Sequence, residues 1–406
     1  MTISPSAPVV YNPYLPGVLA DPYPHYQQLR TEAPVHWSPT GFWVFTRYAD
    51  GAAIIQDRNF VMIEPRDWDR NAEYRYEGAA PEKVRDSLGR MMLFKNAPDH
   101  TRLRSLVSKA FTVRAIEGLR VRIGAIVAQL LHRVRDARRM DLIADLAYPL
   151  PAMVIAEMLG VPPEDRDEFR LWSRALAPTI DPMILPEQIE GAAAAIDRFA
   201  GYFSGLIAKR RAEPRDDILS AMIAAEEQGD RLSEPELIAN AMLLLNAGHE
   251  TTTNLIGNGM LALLRNPEEL ARLRRDPSLL PGAIEELLRF DSPVQMTARR
   301  ARVDRQVGGV QVQAGQQAIV LIGSANRDAA RFSDPDRLDI GRADDEHLSF
   351  GGGPHYCLGA SLARLEGHVA LGALIADLPG LRLATEAPEW RETLTLRGLK
   401  ALPVEF

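Results

Sequence analysis

The amino-acid sequence predicts a mainly α-helical protein with small β-sheets. Apolar residues recur at helical spacing over four long stretches: 115–138, 148–159, 163–176 and 186–211. A fifth stretch, 233–264, is apolar over most of its length, and as one helix it would run for about 48 Å through the centre of the protein. The alternation of apolar and polar residues that is typical of strands is confined to short segments: 34–46, 294–320 and 393–406.

Composition favours one large domain that covers residues 1–406. The 29 Gly and 29 Pro are scattered rather than gathered into a linker, and 46% of the residues are hydrophobic. The net charge of −7 argues against a general nucleic-acid binder, which carries a basic excess. The N-terminus lacks a signal-like apolar run, and no stretch reaches the roughly 18 apolar residues of a membrane span. We therefore expect a cytoplasmic protein with no membrane anchor.

Two short elements precede a long connection near the N-terminus. Residues 21–32 predict a helix, and residues 34–37 and 42–46 predict a strand pair. Helical periodicity weakens over residues 61–94, where aromatic residues and methionines mix with arginines. We expect a long irregular connection there, and loops of that length are usually functional.

A basic pair follows this connection. Pro98 and Asp99 predict a helix start, and the helix places His100 and Arg104 four residues apart on one face. Two cationic donors in that arrangement could clamp a carboxylate. The neighbouring Arg102 fits a solvated basic face instead, since long charged side chains are mostly exposed.

The connection at 178–186 combines three prolines with apolar side chains, Ile180 among them. An exposed apolar loop indicates a binding surface. Packing on a neighbouring element explains the same residues equally well, because Ile and Met are common in protein cores.

The long stretch 233–264 carries polar residues in its middle. It opens with a serine and an acidic residue three positions later, the pattern of a capping box. Gly248 and the β-branched Thr251 disfavour a regular helix, and the Thr251 hydroxyl can compete for the Ala247 carbonyl. With the carboxyl group of Glu250 beside it, this hydroxyl could relay protons. The alternative is a kinked core helix whose polar groups are satisfied by neighbours.

Two neighbours of this polar segment need separate interpretation. Asn246 stands where an apolar residue would suit a pocket, so we expect it to hydrogen-bond a substrate, or else a group within the helix bundle. A zinc-protease interpretation of His249 and Glu250 fails, because Thr253 occupies the position of the required second histidine.

The C-terminal third contains one ion pair and most of the predicted strands. Glu286 and Arg289 lie three residues apart on one helix face, where an exposed pair would contribute less than about 1 kcal/mol. Residues 291–304 read as extended, and the amide of Gln295 could face either a ligand or solvent. Residues 307–320, with glycines at the turns, predict a β-meander.

Cys357, the only cysteine of the chain, lies in the glycine-rich segment FGGGPHYCLGA at 350–360. A lone cysteine excludes an internal disulfide, as well as zinc or iron–sulfur cages that need several ligands. A buried small hydrophobe, a nucleophile and a single thiolate ligand to a metal cofactor remain open. The glycines would let a bulky flat group approach the backbone. The helix predicted after the cysteine would lower the pKa of the thiol.

This segment resembles the haem-binding loop of the cytochrome P-450 superfamily. The match rests on the residues that fall at the family's spacing: Phe350, Gly353, His355, Cys357 and Gly359. The resemblance implies the cytochrome P-450 fold, with the long central helix over a haem b. Cys357 would be the proximal iron ligand, Phe350 would shield its sulfur, and His355 would reach a haem propionate.

Further motifs match in the family's order. His100 and Arg104 fall where the family holds a haem propionate, and Arg299 matches the arginine that reaches the second one. Glu250 and Thr251 occupy the acid and alcohol positions, which implies that they deliver protons during catalysis.

Glu286 and Arg289 match the family's Glu-x-x-Arg pair, which is a structural element behind the haem rather than a catalytic one. The substrate pocket would be lined by residues from several separate segments. Its candidates are Met92, Ile180, Leu243, Asn246, Ala247, Val294, Gln295 and Leu394.

The resemblance implies a monooxygenase that uses dioxygen and two electrons to insert one oxygen atom into a small organic substrate. Because one domain uses the whole chain, the electrons would come from a separate ferredoxin or flavodoxin with its reductase. The residues expected to attract such an acidic carrier are Arg102, Lys109, Arg114 and Arg364. A peroxide-driven peroxygenase would not need the acid–alcohol pair, and a non-catalytic haem sensor or carrier would leave that pair unexplained.

Overall fold

The computed structural model describes residues 9–70, 78–109, 111–181, 184–227, 232–344 and 346–406. Within these ranges the α-helices are α1 Tyr23–Glu32, α2 Tyr48–Gln56, α3 Ala79–Leu88, α4 Asp99–Ser108, α5 Val113–Gly118, α6 Arg120–Val134, α7 Pro149–Met158, α8 Arg166–Leu176, α9 Pro186–Ala212, α10 Ile218–Glu227, α11 Glu234–Arg265, α12 Pro267–Arg275, α13 Leu280–Phe290, α14 Ile322–Ala325 and α15 Ala360–Asp377. The strands are β1 Val35–Trp37, β2 Trp43–Phe45, β3 Phe60–Val61, β4 Arg139–Asp141, β5 Met296–Ala301, β6 Arg305–Val307, β7 Val310–Val312, β8 Gln317–Leu321, β9 Arg382–Leu383 and β10 Pro403–Glu405. The predicted mainly helical fold with small sheets is confirmed.

The largest sheet has the strand order β1-β2-β8-β5-β3. Its β1 and β2 form the predicted antiparallel pair, and β2 runs parallel to β8 with Val44 opposite Ile319. The predicted meander is only partly right. β6 and β7 form a hairpin around Gly308, whose positive φ of 58° suits glycine, whereas β8 pairs with β5 in the larger sheet.

Helix α11 joins the two largest hydrophobic clusters. Its N-terminal half, including Leu237 and Leu245, packs into one cluster with α9, and its C-terminal half, including Leu255 and Leu263, packs into the other with α13 and α15. The predicted capping box is present, since the Ser233 amide donates to the glutamate three residues later at 2.8 Å. The apolar ends therefore hold the polar middle of α11 in place between two cores.

Three expectations about local structure need correction. The connection at 61–94 is not irregular throughout, because it contains α3; its residues 71–77 lie outside the described part of the chain. The helix predicted at 115–138 is two helices, which meet at Leu119. The C-terminal tail forms one strand, β10, and two isolated bridges rather than a series of strands.

The loop at 178–186 starts with a 3-10 turn, Ala177–Ile180, and ends where α9 begins at Pro186. Pro182 and Met183 lie outside the described residues. Among the helices that the structure describes, none has both the length and the apolar character needed to cross a bilayer.

Candidate active site

The glycine-rich loop before α15 packs closely on helix α2. Gly353 has a positive φ of 58°, and a Cβ at this position would lie 2.9 Å from the carbonyl oxygen of Ile55. A Cβ at Gly352 would likewise lie 3.1 Å from the Ile55 side chain. We expected these glycines to admit a flat bound group; within the described part of the chain, the close neighbour of Gly353 is instead the backbone of α2.

Cys357 lies three residues before α15, as predicted, and its amide donates to the Phe350 carbonyl at 2.9 Å. The residue is accessible to solvent, although protein surrounds most of its thiol. Burial raises the pKa of the thiol, and the Gly359 amide, Arg104 and Arg364 offset this only partly. The expected lowering of this pKa by the helix start is present in the Gly359 amide, but burial outweighs it and the net pKa is raised.

Two histidines and an arginine meet beside this cysteine. The rings of His100 and His355 are 3.9 Å apart between centroids, and Arg104 donates to the Tyr356 carbonyl at 2.6 Å. Burial, followed by the charges of His100, Arg299 and Arg104, lowers the pKa of His355 to about 3. His355 is therefore neutral at physiological pH and can donate a hydrogen bond without carrying charge.

Arg299 approaches the same cluster from strand β5. Only 5% of the residue is exposed, and its guanidinium donates to the Thr297 hydroxyl at 2.7 Å and the Ala298 carbonyl at 2.8 Å. Burial lowers the pKa of Arg299 to about 10. Within the described residues, no carboxylate forms an ion pair with Arg299 or Arg104. The predicted set of basic residues is thus brought together without an internal anion.

The polar middle of α11 opens on one face. Ala247 is exposed although residues 241–245 are buried, and Thr251 lies one turn further along the same face. The Thr251 hydroxyl donates to the Ala247 carbonyl at 2.7 Å, which confirms the predicted competition for that acceptor. Asn246 is half-buried, and its amide oxygen has no hydrogen-bond partner among the described residues.

Glu250 faces a residue that the sequence did not indicate. Its side chain is 6% exposed and forms an ion pair with Arg391 from the C-terminal segment. The two residues are 141 positions apart, so no local pattern could reveal the pair.

Thr252, which follows Glu250 and Thr251, connects α11 to α15. Its hydroxyl hydrogen-bonds the carboxyl group of Glu366, which is 2% exposed, and burial raises the pKa of Glu366 to about 8. The sequence shows this acid one position after Leu365, on the apolar face of the predicted helix. Its position there indicates a buried acid.

Glu286 and Arg289 form a buried pair rather than the exposed pair considered from the sequence. Two hydrogen bonds of 2.7 and 2.9 Å join them, and each residue is at most 3% exposed. Arg289 also donates to the Asn326 carbonyl, and Arg342 donates to Glu286. These contacts fix α13 against the segment that leads into the cysteine loop.

The pocket candidates other than Asn246 and Ala247 divide into two groups. Met92 and Leu243 are buried, the former with its amide bonded to Asn240 at 2.9 Å. Gln295 is also buried, at 3% exposure, and donates to the Ser292 carbonyl at 2.8 Å, so the solvent-facing alternative is wrong.

The remaining candidates meet where the loop at 178–186 contacts the C-terminal segment. The Asp181 carboxylate accepts hydrogen bonds from the amides of Leu394 at 2.7 Å and Thr395 at 3.1 Å, beside Ile180. Val294 bridges Leu396 in the same region.

Two of the four residues expected to attract a redox carrier are engaged in ion pairs. Arg102 pairs with Glu236 at 2.6 Å, and Arg364 pairs with Glu285 at 2.7 Å. Lys109 and Arg114 are exposed. The free positive charge on this side is therefore smaller than the sequence suggested.

Comparison with known proteins identifies the class to which this fold and site belong. The family model described as Cytochrome P450 matches residues 71–378. The chain is 47% identical to "Cytochrome P450 107B1" of Saccharopolyspora erythraea over 89% of this chain and 88% of that protein. It is 44% identical to "Vitamin D(3) 25-hydroxylase" of Pseudonocardia autotrophica over 95% and 93%.

A solved structure of a cytochrome P450 is similar to this chain over nearly its whole length. P450BioI, crystallised in complex with an acyl carrier protein ligated to hexadec-9Z-enoic acid, superposes with a TM-score of 0.88 at 40% identity, over 96% of this chain and 99% of that one. The chain belongs to the cytochrome P450 family. It is an oxidoreductase of that family, which implies haem iron with a cysteine thiolate ligand.

Proposed function

We propose that this protein is a haem-thiolate monooxygenase, which inserts one atom of dioxygen into a small organic substrate with electrons from a separate ferredoxin or flavodoxin and its reductase. One observation carries the proposal: His100, Arg104, Arg299 and His355 converge beside the only cysteine, and no carboxylate of the described chain pairs with the arginines. Burying a cation without a counter-ion costs several kcal/mol. The two propionates of haem b are anions that would remove this cost.

Haem b also suits the chemistry of Cys357. The free thiol has a raised pKa, and a bound metal cation reverses that balance because coordination deprotonates a thiol. Gly359 would donate its amide to the sulfur, and Phe350 would shield it from one side. When bound, haem with a thiolate ligand supplies dioxygen activation, in which the thiolate favours O–O cleavage.

Thr251 and Glu250 would supply the protons for this chemistry. The Thr251 hydroxyl donates to the Ala247 carbonyl, so it would turn from that carbonyl to give its proton to the oxygen substrate while one of its lone pairs accepts a proton. Glu250 lies next to it and would replace each proton. A Thr251→Ala variant should therefore lower the product formed per NADH and raise the peroxide released.

Absorption spectra of the reduced, carbon monoxide-bound protein test the thiolate directly. Wild type should show the red-shifted Soret band of thiolate-ligated haem, and Cys357→His should retain haem but lose the red shift. An unshifted band in folded wild-type protein would overturn the proposal. Turnover with NADH and surrogate redox partners then distinguishes a monooxygenase from a haem sensor.

The substrate is best described as a mainly apolar molecule with at least one hydrogen-bonding group. Met92 and Leu243 are apolar, whereas the unpartnered amide oxygen of Asn246 invites a donor. A compound library screened for the low-spin to high-spin Soret shift would find ligands. Asn246→Leu should then weaken binding of oxygenated ligands by about 2- to 10-fold, and Gln311→Leu, at an exposed amide, should not.

The redox carrier would dock on the side of the cysteine loop. Lys109 and Arg114 are exposed there, next to Val113, which is 77% exposed. Reversing the charge of Lys109 and Arg114 together should slow reduction by the carrier and reduce its dependence on salt. Reversing two exposed charges on α9, Arg198 and Lys209, serves as the control, and equal effects of both pairs would contradict this docking face.

A further inference from the structure

The Glu250 carboxylate is held by one side chain from a distant part of the chain. Its ion pair with Arg391 is the only polar contact that the carboxylate makes within the described residues. Since Glu250 is almost fully buried, loss of this contact would leave a carboxylate with no counter-ion. The direction of Glu250 thus depends on Arg391.

The C-terminal segment in turn fixes Arg391. The Arg391 amide donates to the Gly398 carbonyl at 2.9 Å, and Trp390 bridges Leu399 next to it. The guanidinium of Arg397 lies 3.5 Å from the centre of the Trp390 ring. These contacts hold the segment 390–399 as a hairpin, and Asn258 of α11 donates to its Arg397 carbonyl at 3.0 Å. The position of the Arg391 side chain is therefore set by the fold and not only by Glu250.

Arg391 also connects the buried acid to the protein surface. Its side chain is 26% exposed, against 6% for Glu250, and it lines a crevice together with Tyr11, Thr393 and Leu394. The crevice therefore reaches Arg391, the partner of the buried carboxylate.

The residues three and four positions before and after Glu250 in α11 carry no positive charge. Asn246 and Asn254 lie one turn before and one turn after Glu250, and the amide oxygen of each is buried without a partner. Asn254 is pressed against Gly398, where a Cβ would lie 1.9 Å from its oxygen. Because Asn246 and Asn254 offer no charge to the carboxylate, its ion pair with Arg391 determines where the Glu250 side chain points.

We propose that Arg391 is a positioning residue for Glu250. It holds the carboxylate toward the C-terminal segment, and the exposed part of Arg391 lines the crevice from which water would reach the pair. A carboxylate that has taken a proton from this water would leave Arg391 and give the proton to a lone pair of the Thr251 hydroxyl. The hydroxyl would turn from the Ala247 carbonyl to give its own proton to the oxygen substrate, and the carboxylate would then pair with Arg391 again. This inference rests on the proposed role of Glu250.

A double-mutant cycle in the haem-loaded enzyme tests whether Arg391 acts through Glu250. Arg391→Gln should lower product per NADH by about 10-fold, the low end of what partners that orient a functional group contribute, and should increase the solvent isotope effect. In a Glu250→Gln background the same change should have no further effect. Arg391→Lys should recover part of the loss. Lys400→Gln removes a charge from the residue that follows this hairpin and should behave as wild type.

A crystal structure of haem-loaded Arg391→Gln gives a readout that does not depend on turnover. The Glu250 side chain should adopt a different rotamer; an unchanged rotamer, or additive effects in the cycle, would overturn the inference. If Glu250→Gln alone is fully active, the proposed role of Glu250 fails, whereas an impaired Glu250→Gln with an unimpaired Arg391→Gln refutes only the role of Arg391. Arg391→Met replaces the glutamine variant if that variant does not retain haem.

Discussion

Glu366 makes the stability of this protein depend on pH in an unusual direction. The residue is 2% exposed on α15, and burial raises the pKa of its carboxyl group to about 8 from 4.5. Thr252 donates a hydrogen bond that lowers this pKa in part, but burial is the larger effect. At neutral pH the folded protein therefore keeps a proton that the unfolded chain has lost.

The sign of the effect follows from proton binding. Below about pH 4.5 both states are protonated, and the contribution of the neutral carboxyl group to stability is fully present. As pH rises to about 8 this contribution is lost, because ionisation favours the unfolded chain, and above that pH no further loss occurs. The shift of 8 − 4.5 pKa units corresponds to about 5 kcal/mol in total.

Glu366→Gln removes the titration while keeping the size of the side chain and an acceptor for Thr252. Chemical unfolding of the haem-loaded proteins, followed by circular dichroism from pH 5 to pH 9, measures the difference. The variant should gain stability over wild type progressively with pH, by up to about 5 kcal/mol near pH 9.

Asp377→Asn provides the control for this measurement, because Asp377 is an exposed acid on the same helix. That variant should follow the wild-type pH dependence. A difference between Glu366→Gln and wild type that stays constant from pH 5 to pH 9 would refute the buried neutral carboxyl group.

Three other substitutions test individual contacts. Arg289→Met breaks the buried pair and should lower the free energy of unfolding by about 3–5 kcal/mol in urea titrations, and a change below 1 kcal/mol would show that the pair is dispensable. Gly353→Ala places a Cβ 2.9 Å from the Ile55 carbonyl oxygen in a left-handed conformation, so its melting temperature and haem uptake should both fall. Asp181→Ala removes the acceptor of the Leu394 amide, which should exchange with deuterium about 10-fold faster.

The elements that the sequence predicted well have causes within a few residues. The capping box at Ser233 and the apolar runs on either side of the polar segment define α11 locally. Pro98 likewise marks the start of α4, and the apolar spacing after Cys357 defines α15. The grouping of His100, Arg104, Arg299 and His355 was accessible only through the family resemblance, since it joins three separate parts of the chain.

The features that the sequence did not predict depend on distant contacts. Nothing near Glu250 indicates Arg391, and nothing near Gln295 indicates that its amide is used inside the fold. The raised pKa of Cys357 also depends on contacts that the sequence does not reveal. A helix start is visible in the sequence, whereas the burial that outweighs it depends on how the whole chain packs.

The two sides of the site differ in how their charges are balanced. On the side of the cysteine, Arg104 and Arg299 have no anion among the described residues, and their charges help to keep His355 neutral. On the side of α11, Glu250 already has its cation in Arg391. An anionic cofactor would therefore be favoured on the first side, where the described residues leave the charges of Arg104 and Arg299 uncompensated. Glu250 is paired with Arg391 and does not compete for the residues that would hold the propionates.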